Sequence, residues 1–218
     1  MKKIIADLHV HSIASGHAYN TIYELTQASK QKNIELIAIT DHGPKMPQAP
    51  HAYYFGNLKV VPETINGVRV LKGIETNILE DGHLDLEDMW LEVLEFCAAG
   101  YHIEAMKPKS KDENTKFLIN AMKNKYIKMI THPDNPNYPV DFQQVCKAAS
   151  DYGVILELNN SSYNGDKKFK RCDEALTMEM LNYLIKYNVY TSLNSDAHWM
   201  ESVGNIEKIQ PFVDKASI

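Results

Sequence analysis

The sequence contains little cysteine, and the residues present are widely spaced. Cys97, Cys146 and Cys172 are an odd number and form no C-x-x-C pair. A disulfide framework needs paired cysteines in a dense pattern, and a thiolate zinc site needs closely spaced ones. Both kinds of site are therefore excluded, and we expect reduced, mostly buried thiols.

Features that membranes and nucleic acids require are also missing. No apolar run reaches about 18 residues, the length of a membrane-spanning helix. Asp7, His9 and His11 interrupt the apolar start before the core of a signal peptide could form. With 23 Lys and Arg against 28 Asp and Glu, the formal net charge of -5 disfavours general electrostatic binding to nucleic acid or anionic lipid. We expect a cytoplasmic protein that binds no membrane, with nucleic acid a disfavoured partner.

The remaining composition is typical of a globular domain. The chain has 218 residues, of which 44% are hydrophobic and 23% are charged, so it can bury a core of normal size. No repeat, low-complexity tract or Ser/Gly-rich linker marks a boundary. We expect one domain over residues 1–218.

Short β-branched runs alternate with helical patterns along the chain. The predicted strands are 4–10, 35–40, 68–74, 93–98, 127–131, 154–158 and 189–193, and the predicted helices are 23–32, 115–123, 142–152, 174–187 and 206–214. The run 93–98 fits a helix as well. Seven alternating units close more easily into a barrel than into a flat sheet. The predicted fold is α/β, a distorted TIM-like (β/α)7 barrel; an open doubly wound sheet is the alternative, although no nucleotide-binding glycine motif supports it.

Potential metal ligands follow the ends of the predicted strands. Of nine histidines, four fall within the first 42 residues. His9 and His11 lie on one face of the first strand because side chains alternate along a strand. Five later predicted strands are followed closely by a histidine or an acidic residue. Because the C-terminal strand ends of a β/α barrel meet at one mouth, these side chains are predicted to converge there on a metal site.

The donor types indicate which metal such a site would hold. Imidazole and carboxylate without thiolate suit zinc first, with manganese or iron as alternatives. A catalytic zinc takes about three protein ligands and a water, so nine donors are enough for roughly three ions, and Glu75 could bridge two of them. The predicted metal ligands are His9, His11, His17, His42, Glu75, His102, His132, Asp196 and His198.

These residues also carry a resemblance to a known family. The sequence resembles the PHP superfamily (polymerase and histidinol phosphatase), and most closely its YcdX-like trinuclear-zinc phosphatase branch, over nearly the whole chain. The matching segments are 7–11, 15–19, 38–44, 73–75, 99–102, 131–133, 157–162 and 195–198. The resemblance implies a distorted (β/α)7 barrel.

The resemblance further implies how the ligands share three zinc ions. It places His9, His11, Glu75 and Asp196 around one ion, Glu75, His102 and His132 around a second, and His17, His42 and His198 around a third. Lys45 departs from the family pattern, in which an acid is common at this position.

The positive charge of several divalent ions would exceed the negative charge of the two carboxylates, so the mouth of the barrel would be positively charged. Such a site would bind a compact anion selectively. We expect a metal-dependent phosphatase that hydrolyses small phosphomonoesters with a metal-bound hydroxide at a trinuclear centre. The alternatives are a histidinol phosphatase with a dedicated substrate, a PHP-type nuclease and a metal-binding regulatory module without turnover. A small phosphorylated substrate is the expected partner, and a homo-oligomer is left open.

Other side chains have expected roles around this centre. Asp7 and Asp41 are expected to accept hydrogen bonds that fix histidine tautomers, with protonation of the leaving oxygen as the alternative role. The basic run containing Lys168, Lys170 and Arg171 could hold the substrate beyond its phosphate, although such a run is commonly only a solvated face. We expect residues 44–50, with three prolines, to form a stiff rim over the mouth.

Overall fold

The structure is a computed structural model and describes residues 4–163 and 173–216. Eight strands occur in this part of the chain. They are β1 (Ala6–Val10), β2 (Leu36–Ile39), β3 (Thr64–Ile65), β4 (Val68–Asn77), β5 (Phe96–Gly100), β6 (Ile127–Ile130), β7 (Ile155–Asn159) and β8 (Thr191–Asn194). Seven of them pair in parallel in the order β1, β2, β4, β5, β6, β7, β8. The short strand β3 pairs antiparallel with the start of β4.

The first and last strands meet and bring the sheet close to a closed barrel. Val10 and Ala197 form a parallel bridge just beyond β1 and β8. The His11 N–H donates to the Ala197 carbonyl at 2.9 Å, and the Ala197 N–H donates to the His9 carbonyl at 3.4 Å. The predicted TIM-like barrel is therefore confirmed. Its closure places the C-terminal ends of β1 and β8 side by side.

Helices follow most strands and pack on the sheet. They are α1 (Ile22–Gln31), α2 (Ala52–Asn57), α3 (Asp88–Leu91), α4 (Lys111–Met122), α5 (Phe142–Tyr152), α6 (Glu174–Tyr187) and α7 (Gln210–Ala216). The largest core cluster joins Leu118 of α4, Val145 of α5 and Leu181 of α6 to Leu156 and Leu158 of β7. Burying these side chains stabilises the barrel by roughly 1.5–3 kcal/mol for each large apolar residue. The apolar side chains of this cluster thus link helices to strands.

The observed elements overlap every predicted strand and helix, although several boundaries differ by up to four residues. The predicted strand 93–98 lies at 96–100, because α3 and a turn occupy the residues before it. Three short elements, α2, α3 and β3, were not predicted from the sequence. The turn between β3 and β4 uses Asn66 (φ 56°) and Gly67 (φ 83°), two residue types that tolerate a left-handed backbone in a tight hairpin.

No helix in the described part of the chain is both long enough and apolar enough to cross a membrane.

Candidate metal centre

All nine predicted ligands lie at one end of the barrel. His9 belongs to β1 and Glu75 to β4, whereas the others lie on the segments that follow β1, β2, β5, β6 and β8. His9, His11 and Glu75 are fully buried, and the outer ring of the cluster, which includes His17, is more exposed. Parallel strands that start at one end of a barrel necessarily finish at the other. This topology therefore brings together residues from both ends of the sequence.

Glu75 lies at the centre of the cluster, and its two oxygens face different partners. Oε1 lies 3.0 Å from His132 Nε2 and 3.4 Å from His102 Nε2. Oε2 lies 3.3 Å from His9 Nε2 and 2.9 Å from His42 Nδ1. A carboxylate with ligand atoms on both sides has the arrangement that a bridging ligand requires.

The inner side of the cluster is formed by His9, His11 and Asp196. The two imidazole Nε2 atoms are 3.0 Å apart, and Asp196 Oδ1 lies 3.7 Å from the first and 3.3 Å from the second. The ligand atoms of these three residues all lie within 4.8 Å of one another. They form a compact group of two nitrogens and one carboxylate oxygen.

The outer side of the cluster is formed by stacked histidines. His17 and His198 have ring centroids 4.8 Å apart, and His17 Nε2 lies 3.2 Å from His42 Nε2. His42 also belongs to two sets whose ligand atoms lie within 4.8 Å of one another, one with His11 and His198 and one with Glu75 and His102. The candidate groups therefore overlap at His11 and His42, where the resemblance implied separate sets.

Hydrogen bonds on the far side of the rings fix which nitrogen can bind a metal. His9 Nδ1 donates to Glu157 Oε1 at 2.8 Å. His11 Nδ1 donates to Ser15 Oγ at 3.0 Å, because the Ser15 hydroxyl proton is directed to Asp41 at 2.7 Å. With Nδ1 committed to these partners, Nε2 is the nitrogen of each ring that can bind a metal, and the two Nε2 atoms face each other. Two lone pairs at this distance repel unless a positive charge lies between them.

The electrostatics of the inner residues favour such a positive charge. Burial alone would lower the pKa of His9, but the carboxylates of Glu157, Glu75 and Asp196 raise this pKa well above its usual value. Burial would raise the pKa of Glu75, yet the imidazoles of His9 and His102 bring it well below its usual value. The carboxylates therefore stay ionised and stabilise a cation at this point.

The pKa values of His42 and His11 are lowered, so these two side chains stay neutral. Burial lowers the pKa of His42 to about 3, against the raising effect of Glu75. Burial and the neighbouring imidazoles of His198 and His42 lower the pKa of His11 well below its usual value. Because a metal binds only the unprotonated ring, these two side chains are ready to bind metal near neutral pH without losing a proton.

Two buried atoms show that the residues fit a metal ion. His42 Nδ1 and Glu75 Oε2 have no hydrogen-bond partner among the described residues, although they lie 2.9 Å apart. Buried polar atoms are normally paired, so an unpaired nitrogen and oxygen at this separation are donors that a metal ion would satisfy. Imidazole and carboxylate are the donors that zinc, manganese and iron accept. The donor set thus fits divalent metal ions.

The hydrogen-bond partners of Asp41 suit the role expected for it, whereas those of Asp7 do not. Asp41 accepts from Ser12 and Tyr54 as well as from Ser15, so it acts on the His11 ring through Ser15. Asp7 accepts from the Ser195 hydroxyl at 2.5 Å and from the Gly204 N–H at 2.8 Å, and no histidine ring is among its partners in the described residues. Asp7 therefore joins β1 to the segment after β8 instead of fixing a tautomer.

Sequence reasoning missed three residues that orient predicted ligands. Glu157 binds the His9 ring, Ser15 binds the His11 ring, and Asn77 Oδ1 accepts from His102 Nδ1 at 2.8 Å. The signal for Glu157 was present, since an acid within the apolar strand β7 must find a buried partner. Ser15 and Asn77 are common polar residues near strand ends and carried no such signal.

The backbone is strained at two of the ligand positions. His132 has φ 34° and Asp196 has φ 52°, values in the left-handed region that non-glycine residues rarely adopt. Such conformations concentrate at functional sites, where the surrounding structure holds them. Gly100 lies against the same place, because an added Cβ would come within 2.1 Å of Thr131 Oγ1 and 2.9 Å of His132 Cε1. The ligands are thus held by a tightly fitted backbone.

A pocket of about 490 Å³ opens over the histidines. Several predicted ligands line it, together with Met46, Pro47, Tyr101 and Tyr138. The predicted proline-rich rim thus contributes to the mouth. Lys168, Lys170 and Arg171, expected to contact substrate, lie outside the described residues. His51 and His83 are exposed and do not line the pocket.

Comparison with known proteins agrees with the sequence motifs and with the barrel. The chain is 44% identical over 208 residues to a protein named a probable phosphatase from Caldanaerobacter subterraneus subsp. tengcongensis, covering 94% of this chain and 81% of the relative. It is 43% identical to a probable phosphatase from Thermoanaerobacter sp. strain X514, covering 99% of this chain and 88% of the relative.

A solved structure shares the fold at low sequence identity. The histidinol phosphate phosphatase of Lactococcus lactis subsp. lactis, crystallised with zinc, L-histidinol and phosphate, matches with a TM-score of 0.65 at 13% identity, covering 100% of this chain and 95% of that one. The sequence pattern of the PHP domain matches residues 7–196. The predicted resemblance is confirmed: the chain belongs to the PHP domain family.

Proposed function

We propose that this protein hydrolyses small phosphomonoesters with water activated at a cluster of three divalent metal ions. Zinc is the metal that we expect first. It is a phosphoric monoester hydrolase of the PHP family, in agreement with relatives named probable phosphatases. The observation that carries the proposal is Glu75, whose two oxygens each face at least two imidazole nitrogens in a buried cluster. Zinc in the related histidinol phosphate phosphatase supports the choice of metal.

We assign the proposed ligands to three neighbouring sets, of which the first two share Glu75. His9, His11 and Asp196 would hold one ion on the Oε2 side, and His102 and His132 a second on the Oε1 side. The third set consists of His17, His42 and His198. When bound, divalent ions here neutralise phosphate charge and provide a water acidic enough to act as a nucleophile near neutral pH.

The residues of the chain itself keep this site in one geometry. Glu157, Ser15 and Asn77 each accept a hydrogen bond from Nδ1 of one imidazole, which leaves Nε2 of each ring on the inner side as the nitrogen that would bind metal. A ring that is already fixed in orientation loses little conformational freedom when it binds a metal ion. Removing hydrogen-bond partners of this kind commonly lowers metal affinity or activity about 10–100-fold.

The pocket would hold the organic part of the substrate. The stacked rings of Tyr101 and Tyr138, 4.6 Å apart, form an aromatic wall in the same pocket as the histidines, and Met46 adds apolar surface. This wall limits the water that reaches the reacting phosphate. Asp7 and Asp41 do not line the pocket, and their oxygens are occupied by other donors, which argues against a role in protonating the leaving oxygen.

A panel of phosphate esters tests the proposal. Protein stripped with a chelator and reloaded with zinc or manganese is expected to hydrolyse p-nitrophenyl phosphate and several sugar phosphates, and stripped protein is expected to be inactive. Glu75→Gln should remove activity, whereas Glu63→Gln, on the exposed surface, should not. A strong preference for histidinol phosphate would favour a dedicated histidinol phosphatase. Cleavage of a single-stranded oligonucleotide without monoester hydrolysis would contradict the proposal and favour a nuclease.

A further inference from the structure

Asp85, in the segment between β4 and α3, accepts four hydrogen bonds. Its Oδ1 accepts from Thr76 Oγ1 at 2.6 Å and from the Asn77 N–H at 2.8 Å. Its Oδ2 accepts from the Lys45 N–H at 2.8 Å and from Asn77 Nδ2 at 2.5 Å. Only a carboxylate can accept at both positions, because an amide would turn an N–H group toward two of the donors.

These contacts fix the orientation of the Asn77 side-chain amide. Asn77 Nδ2 donates to Asp85 and also to the Gly43 carbonyl at 3.3 Å. The amide oxygen is then directed to His102, whose Nδ1 donates to it at 2.8 Å. His102 Nε2 is consequently left as a base that faces Glu75 Oε1 at 3.4 Å. Asp85 therefore sets the tautomer of a ligand that it does not touch.

Asp85 also ties together the three strand ends that carry one candidate metal group. Through Lys45 it holds the loop after β2, where His42 lies, and through Thr76 it holds the residue that follows Glu75. The fit is close at Gly43, where an added Cβ would lie 2.3 Å from Asp85 Oδ1. The His42, Glu75 and His102 ligand atoms lie within 4.8 Å of one another.

We propose that Asp85 is the positioning residue for two proposed ligands that face Glu75, namely His102 and His42. It fixes the His102 ring through Asn77 and the loop that carries His42 through the Lys45 backbone. The inference rests on the proposed metal centre. It assigns the control of metal affinity to a carboxylate that contacts neither the metal ligands themselves nor the pocket.

The variant Asp85→Asn tests this role with two measurements. Chelator competition is expected to show about 10–100-fold weaker binding of one metal ion, and excess zinc should restore turnover. Long-range ¹⁵N NMR of the metal-free protein should show His102 as the Nδ1–H tautomer in the wild type and as a tautomer mixture in the variant. Asp151→Asn, on the exposed face of α5 beside Lys147, is the matched control and should change neither result.

A second variant keeps the inference testable if Asp85→Asn does not fold. Asn77→Ala removes the acceptor for His102 and leaves the Asp85 contacts to Thr76 and Lys45 in place, so it should reproduce the loss of affinity. Wild-type metal affinity together with a pure Nδ1–H tautomer, in either folded variant, would overturn the inference. A wild-type protein that binds no metal would defeat the proposed function instead, while the His102 tautomer would still report whether Asp85 orients the ring.

Discussion

At the scale of single residues, Glu157 shows how one buried carboxylate organises several ligands. Its Oε1 accepts from the His9 ring at 2.8 Å and from Asn194 Nδ2 at 2.9 Å. Its Oε2 accepts from the His132 N–H at 2.8 Å and from Asn159 Nδ2 at 3.0 Å. Burial would raise the pKa of Glu157, but the charge and hydrogen bond of His9 keep it below its usual value. The side chain therefore remains a carboxylate near neutral pH and holds ligands on β1 and after β6.

The substitution Glu157→Gln is expected to weaken the metal centre and the fold together. The amide would place an N–H group against donors, which leaves buried polar atoms unpaired and costs about 1–3 kcal/mol in the free energy of unfolding. Loss of the fixed His9 tautomer should lower metal affinity about 10–100-fold. Urea unfolding of the metal-free protein and chelator competition measure the two effects. Glu174→Gln, at the exposed start of α6, should leave both unchanged, and wild-type metal affinity in Glu157→Gln would contradict the assigned role.

The sequence made the nine proposed ligands visible because each one occurs at or after the end of a strand. His9 and His11 stand out by their alternation, and Asp196 and His198 by their position after the last strand. The partners of these rings were harder to predict, because a serine or an asparagine acts through the direction of one hydrogen bond. That direction is set by neighbours distant in sequence, as Asp85 sets Asn77.

At the scale of elements, α4 begins earlier than the apolar pattern predicts, and its first turn explains why. Ser110 caps the helix: its hydroxyl accepts from the Glu113 N–H, and the Glu113 carboxylate accepts from the Ser110 N–H and hydroxyl. This capping box adds a polar turn, residues 111–114, before the predicted start at 115. The serine and glutamate at this spacing were the available signal.

Ser110→Ala is expected to destabilise the protein without affecting the metal centre. Loss of the cap should lower the free energy of unfolding by about 1 kcal/mol. Urea unfolding of the metal-free protein measures this loss, and elemental analysis should show the wild-type metal content. Ser150→Ala, near the exposed end of α5, is the control and should change stability less. An equal effect of the two substitutions would contradict the capping role.

The packing between sheet and helices predicts the behaviour of two thiols. Burial raises the pKa of Cys97 in β5 to about 12 and the pKa of Cys146 in α5 to about 12. Only about one thiol in 10,000 is then ionised at pH 8, and the thiolate is the reactive form. In a Cys172→Ser variant, Ellman's reagent should react with neither thiol of the folded protein at pH 8 and with both after unfolding. Rapid reaction of either thiol in the folded protein would contradict this prediction, because it would show that the packing between sheet and helices opens.

At the scale of the whole molecule, barrel closure makes one site from residues near both ends of the sequence. His9 and Asp196 come together because β1 and β8 are neighbours, joined by the bridge between Val10 and Ala197 and by the Asp7 contact to Ser195. Sequence periodicity predicted the strands and the parallel sheet, and the ends of parallel strands then placed the ligands. The sequence could not predict how closely the ligand groups overlap, because ring orientation depends on packing across the barrel.

The metal content of the purified protein tests the central claim most directly, namely that these side chains share several cations through Glu75. After loading with zinc and removal of excess metal, elemental analysis is expected to give about three ions per chain for the wild type, since catalytic zinc takes about three protein ligands. Glu75→Gln should lose two of them, because both carboxylate oxygens face imidazoles, and His17→Ala should lose one. A wild-type protein with one ion or none, or an equal loss of a single ion in both variants, would contradict the account.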